Sequence, residues 1–105
     1  MSPSEFLAQA ETTLQSIERA VENLADELDI DSERSGNVLT LTCENGSKII
    51  INSQEAMQEI WLAAKVGGFH FRLVGQAWHD SKSGEELFQL LARCLSQQTG
   101  ATVRL

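Results

Sequence analysis

Apolar residues recur at steps of three and four through the first quarter of the chain: Phe6, Ala10, Leu14, Ile17, Val21, Leu24 and Leu28. Side chains so spaced line one face of an α-helix, and the expected helix runs from Pro3 to Leu28. Ser2-Pro3-Ser4-Glu5 supplies its start, with Ser2 as N-cap, Pro3 at the first helical position and Glu5 reaching back to complete a capping box. The opposite side carries Glu11, Glu18, Glu22 and Asp26. The last three follow one another at steps of four, so they stack on one exposed stripe and repel.

Beyond Leu28 the period shortens to two. Asp29, Asp31 and Glu33 alternate with Ile30 and Ser32, which puts three carboxylates on one side of an edge strand beside the acidic helix. Ser35-Gly36-Asn37 turns into a strand from Val38 to Cys43. Asn45-Gly46 predicts a tight hairpin with both residues at positive φ, and Lys48 to Asn52 forms the returning strand. Met57 to Ala64, Phe69 to Val74 and a short segment around Trp78 read as three more strands. Ser83-Gly84-Glu85-Glu86 repeats the capping-box pattern ahead of Leu87, Leu90, Leu91, Cys94 and Leu95, a second amphipathic helix ending near Gly100. Strands joined by short turns and flanked by two helices predict an α+β two-layer sandwich: an antiparallel meander of about six strands, with the N- and C-terminal helices packed on one face.

With Leu39, Leu41, Ile49, Ile51, Ile60, Leu62, Phe69, Phe71 and Leu73 toward the helices, period two sends Thr40, Thr42, Ile50, Asn52, Trp61, His70 and Arg72 to the other side. A tryptophan on a face that no helix covers serves either as an interface anchor or as a flat shield over its cross-strand neighbours, and the pattern fits both.

The 105 residues suit one domain, 1–105, and an apolar share of 42% is enough to build a core. The net charge of −7 disfavours nucleic acid as a partner, since phosphate backbones need a basic footprint. All of that excess lies in Met1–Glu44, which carries −8, while the remaining 61 residues carry +1; so one-sided a distribution suits a cationic partner. No apolar run reaches the roughly 20 residues of a membrane helix, and no secretory signal is visible, so no membrane association and a cytoplasmic location are expected. Cys43 and Cys94 have no metal-ligand spacing and read as buried thiols. No Ser/His/Asp grouping, phosphate loop or paired His is present, which points away from an enzyme. His70 reads as a polar contact residue and His79 as a surface histidine.

A row of carboxylates at Glu18, Glu22, Asp26, Asp29, Asp31 and Glu33 is either a solvated face or a set of hard oxygen donors. Donors of that kind take ferrous or ferric iron, and other divalent cations as well, through one or two carboxylates each. Lacking a cage or nitrogen and sulfur ligands, they bind weakly and reversibly.

The run Glu44-Asn45-Gly46-Ser47-Lys48-Ile49-Ile50-Ile51-Asn52, Gln54-Glu55, Trp61-Leu62-Ala63 with Lys65, Gly67-Gly68-Phe69-His70-Phe71, Trp78 and Ser83-Gly84-Glu85 resembles the frataxin family, in particular its bacterial CyaY branch. The resemblance extends over essentially the whole chain. It implies an iron-binding protein that regulates iron–sulfur cluster assembly by docking on the cysteine desulfurase. Carried over by position, the family's acidic ridge falls on Glu18, Glu22, Asp26, Glu27, Asp29, Asp31, Glu33 and Glu44, and its scaffold-facing sheet surface on Asn52, Gln54, Trp61 and His70. Arg19, Asn23 and Ala25 stand where relatives are often acidic, which implies fewer or weaker ions, and Ala56 replaces a common proline. Three function classes follow: an iron-binding regulator that is a monomer without metal, an iron-oxidising or iron-storing oligomer, and a binding module without metal.

Overall fold

The computed structural model describes residues 1–24 and 26–105. The elements run α1 (Pro3–Leu24), β1 (Asp31–Ser35), β2 (Val38–Thr42), β3 (Lys48–Gln54), β4 (Glu59–Ala64), β5 (Gly67–Val74), β6 (Ala77–Asp80) and α2 (Leu87–Thr99). The six strands form one sheet in chain order, every neighbouring pair antiparallel, so β1 and β6 are its edges. This is the expected α+β sandwich. Phe6, Ala10, Leu14, Ile17 and Val21 of α1 and Leu87, Leu90, Leu91, Cys94 and Leu95 of α2 join Leu39, Leu41, Ile49, Ile51, Ile60, Leu62 and Phe71 of the sheet in one buried cluster. Each buried Val, Leu, Ile or Phe side chain contributes about 1.5–3 kcal/mol by leaving water, which is what holds both helices to the same face. Trp78 completes the cluster edge-on to Phe6, with ring centroids 6.0 Å apart, and its Nε1 donates to Thr13 Oγ1 at 2.8 Å. The one polar atom of a buried indole is thereby satisfied.

The expected capping box opens α1: Glu5 N donates to Ser2 Oγ at 3.1 Å, and Ser2 N donates to the Glu5 carboxylate at 3.1 Å. The helix ends at Leu24, not at Leu28. Its last turn holds no basic residue, and the next side chains include Asp26, Glu27 and Asp29. Carboxylates are unfavourable at the negative end of a helix dipole, so the chain leaves the helix in a turn in which Glu27 N and Leu28 N both donate to the Leu24 carbonyl. Asp26 therefore lies in the turn after α1 and not on the helix itself. Leu24 and Leu28 still pack on the core, and Ile30 is buried. Ala25 lies outside the described residues, so its place on the ridge is not described either.

Three other expectations change. Between β2 and β3 lie five residues, Cys43 to Ser47, whose hydrogen bonds enclose a three-residue loop, Glu44 to Gly46, rather than a two-residue one, and only Gly46 of the Asn45-Gly46 pair has positive φ, at 86°. Gly46 N donates to the Cys43 carbonyl at 2.9 Å and Cys43 N to the Ser47 carbonyl at 2.8 Å, a turn followed by a left-handed residue that only glycine adopts freely. Asn45 is employed through its side chain: Oδ1 accepts from Ser47 N and Oγ, and Nδ2 donates to the Gln98 carbonyl at 2.8 Å, tying the hairpin to α2. Strand β4 begins at Glu59, not at Met57, because Gln58 sits at φ 52° and breaks the extended run. The cap of α2 is Glu86, whose carboxylate accepts from Phe88 N and Gln89 N; Ser83 instead closes the preceding turn on Asp80.

Candidate functional site: carboxylates of α1 and β1 and an open sheet face

The eight carboxylates expected on the ridge are not equivalent. Glu22 is exposed on α1, Asp26 and Glu27 are exposed in the turn after it, and Asp29 precedes β1 rather than lying in it. Asp31 and Glu33 are exposed on β1 opposite Thr42 and Thr40, so they point to the sheet's outer face at its free edge. Glu44 is exposed in the β2–β3 loop and shares with Asp29, Leu28, Cys43, Asn45 and Thr99 a cleft of about 350 Å³. Glu18 stands apart, because Arg34 reaches back from β1 and pairs with it and with Glu11. Arg34 lies opposite Leu39, hence on the helix side of the sheet, and its guanidinium clamps β1 against α1. The like-charge stripe is thus partly neutralised where it meets the sheet. Among the described residues no three His, Cys, Asp or Glu side chains are placed to hold one metal ion together. What the ridge offers a cation is exposed carboxylates, no three of which converge among the described residues.

On the outer face, the pairings Asn52↔Trp61 and Trp61↔His70 put three of the four expected contact residues in one row across β3, β4 and β5. Gln54 lies in the next row, opposite Glu59. Trp61 stacks on His70 with centroids 4.3 Å apart and planes 10° from parallel. Sequence reasoning assigned no role to Glu59, which is in phase with Trp61 and sits beneath it, 4% exposed on a face that is otherwise open. Trp61 Nε1 donates to Glu59 Oε1 at 2.8 Å, Arg72 Nε donates to Oε2 at 2.8 Å, and His70 Nδ1 lies 3.8 Å from Oε1. The Trp61 bond lowers the Glu59 pKa most; burial opposes it and the Arg72 guanidinium reinforces it. The signal in the sequence is the two-residue step from Glu59 to Trp61, which puts both on one face of the strand.

Asp80, His79 and the two cysteines belong to neither set of candidate site residues. Asp80 is held below the usual carboxylate range although burial pushes it upward, because hydrogen bonds from Ser83 and from backbone N–H groups outweigh that effect. His79, across from Arg72 on β6, has Nδ1 3.0 Å from the Gly84 carbonyl, so Nδ1 carries a proton. Cys43 and Cys94 are free and buried as expected, and burial raises the Cys94 thiol. No helix among the described residues is long and apolar enough to cross a membrane.

A family model for the frataxin-like domain matches residues 1–101. The chain is 56% identical over its full length to the iron-sulfur cluster assembly protein CyaY of Ralstonia nicotianae, covering 95% of that protein. It is 51% identical over 98% of its length to the protein of the same name from Burkholderia mallei, covering 96% of it. Among solved structures, frataxin from Psychromonas ingrahamii superposes with a TM-score of 0.91 at 35% identity, over 99% of this chain and 97% of that one. Trimeric frataxin from the yeast Saccharomyces cerevisiae, complexed with ferrous, superposes with a TM-score of 0.78 at 26% identity, over 88% and 86%. Matched end to end in sequence and in fold, the chain belongs to the frataxin family, in its CyaY branch.

Proposed function

We propose that this protein is an iron-binding, non-enzymatic participant in iron–sulfur cluster assembly, working in the cytoplasm. It regulates the process by docking on the cysteine desulfurase through the acidic ridge. Glu22, Asp26, Glu27, Asp29, Asp31, Glu33 and Glu44 are the metal donors and the electrostatic docking surface, with Glu18 contributing less because Arg34 holds it. Asn52, Gln54, Trp61 and His70 face the cluster scaffold. The observation that carries this reading is the presence of two unlike exposed regions: carboxylates from the end of α1 along the edge strand, and an aromatic, hydrogen-bonded patch in the middle of an uncovered sheet face. The names of the CyaY relatives and the ferrous complex of the yeast protein support it.

Iron is cargo in this reading. Single exposed carboxylates hold a hard ion through one or two oxygens while water fills the other positions, so affinity is micromolar or weaker, about −8 kcal/mol or less favourable. Release to a partner is then easy. Calcium, manganese and cobalt fit the same donors.

An anaerobic ferrous titration of the 15N-labelled protein tests this. Paramagnetic broadening is expected first at Glu22, Asp26, Asp29 and Asp31, and broadening centred on His70 or Cys43 would refute the assignment. The trimeric state of the yeast relative favours a second reading, an iron-storing or iron-oxidising oligomer. Mass measured with and without iron in air separates the two, because storage requires a defined assembly and the regulator stays monomeric.

A further inference from the structure

The outer sheet face contains a buried charge that its position does not require. A glutamate on an open face ordinarily extends into water, since burying an ionised carboxylate is costly unless it is paired and hydrogen-bonded. The Glu59 side chain is only 5% exposed, and both oxygens are engaged: Oε1 by Trp61 Nε1 and Oε2 by Arg72 Nε, each at 2.8 Å. Arg72 itself is 62% exposed and His70 51% exposed, so the groups that Glu59 holds face outward while Glu59 does not.

We propose that Glu59 is the positioning residue of the sheet face: bonding the indole edge and the guanidinium from beneath, it fixes the Trp61 ring flat on His70 and sets Arg72 beside them as one preformed contact patch. The patch spans two strands whose register, Ile60↔Phe71 and Trp61↔His70, places Glu59 and Arg72 side by side on one face. A flat indole on a sheet has one rotatable pair of side-chain torsions to lose on binding, and a hydrogen bond at its edge removes that loss beforehand. The inference rests on the proposed scaffold-facing role for what the patch meets, but the local geometry stands independently of it.

Two readouts keep the two questions apart. The first is NMR of the free protein. Glu59→Ala is expected to shift the His70 ring protons as the Trp61 ring current moves away and to speed exchange of the Trp61 Nε1–H about tenfold or more, the worth of a hydrogen bond to a charged group. The Trp78 indole signal, on the opposite side of the sheet, reports that the variant is folded. Glu59→Gln keeps an acceptor for the indole and loses the charge; it is expected to preserve the Trp61–His70 stack and to free the Arg72 Nε–H to exchange faster. A folded Glu59→Ala protein with unchanged His70 and Trp61 signals overturns the proposal. If Glu59→Ala does not fold, unchanged Arg72 exchange in Glu59→Gln overturns it instead.

The second readout is affinity for the purified cluster scaffold protein. Glu59→Ala is expected to weaken it nearly as much as Trp61→Ala does. Loss of affinity in Trp61→Ala with none in Glu59→Ala contradicts preorganisation of the patch. No loss in Trp61→Ala removes the scaffold-facing reading alone, and the NMR result still decides the role of Glu59.

Discussion

Arg34 decides how the acidic helix behaves. Paired with Glu11 and Glu18 from the neighbouring strand, it leaves Glu22 as the exposed, unengaged carboxylate on that part of α1. Glu22→Gln is therefore expected to weaken ferrous binding more than Glu18→Gln, while Glu18→Gln lowers thermal stability more. Equal effects on both quantities would mean that the Arg34 pairs are too well solvated to matter. Acid acts on two other side chains. Glu59 and Asp80 both titrate below their ordinary range when folded, so each contributes stability that is present above the unfolded carboxylate pKa and lost as pH falls through the lower folded value. Denaturant unfolding is expected to show stability declining below about pH 4.5, and less steeply in Asp80→Asn. An unchanged slope in that variant contradicts the Ser83 contacts as its source. These pairings were not legible in the chain. Period two assigns faces, which placed Trp61 and His70 correctly, but it says nothing about which carboxylate a cation 16 or 23 residues away will choose.

At the scale of elements, the order α, six strands, α and the inward set on the four central strands were legible, because a two-residue slip-free alternation fixes the buried face of a strand. The ends were not. The heptad-like spacing continues through Leu24 and Leu28, yet the acidic residues beyond Leu24 oppose the helix dipole, and the chain turns while both leucines remain packed on the core. Asn45-Gly46 announced a hairpin but not its loop length, since Asn45 bonds to α2, a contact absent from the local sequence. The loop carries a prediction. Gly46→Ala, at φ 86°, is expected to cost about 1–2 kcal/mol in denaturant unfolding. Gly68→Ala, at a position with open space and no left-handed backbone, is expected to stay within about 0.5 kcal/mol. Equal costs would contradict the three-residue loop.

For the whole molecule, the central claim is that charge and contact are divided between two surfaces. In the proposed function, carboxylates of the first 44 residues are the source of long-range attraction and the metal donors, and the sheet face is the shaped contact. Electrostatic attraction acts over about 8 Å at physiological salt, so its signature is in the association rate and in how that rate responds to salt. Trp61→Ala, by contrast, removes a short-range anchor, and where that anchor is fully buried in an interface its loss costs about 2 kcal/mol or more. Charge reversal for such a test belongs at Glu22 and Asp31, which are exposed, rather than at Glu18, where a lysine would face Arg34. The most direct measurement is stopped-flow association with the purified cysteine desulfurase at two ionic strengths, for the wild-type protein and for Glu22→Lys combined with Asp31→Lys. The wild-type rate should fall as salt rises, and the reversed protein should associate about tenfold or more slowly with a flatter salt dependence. Association of the reversed protein at the wild-type rate, with the same response to salt, would contradict the ridge as the docking surface.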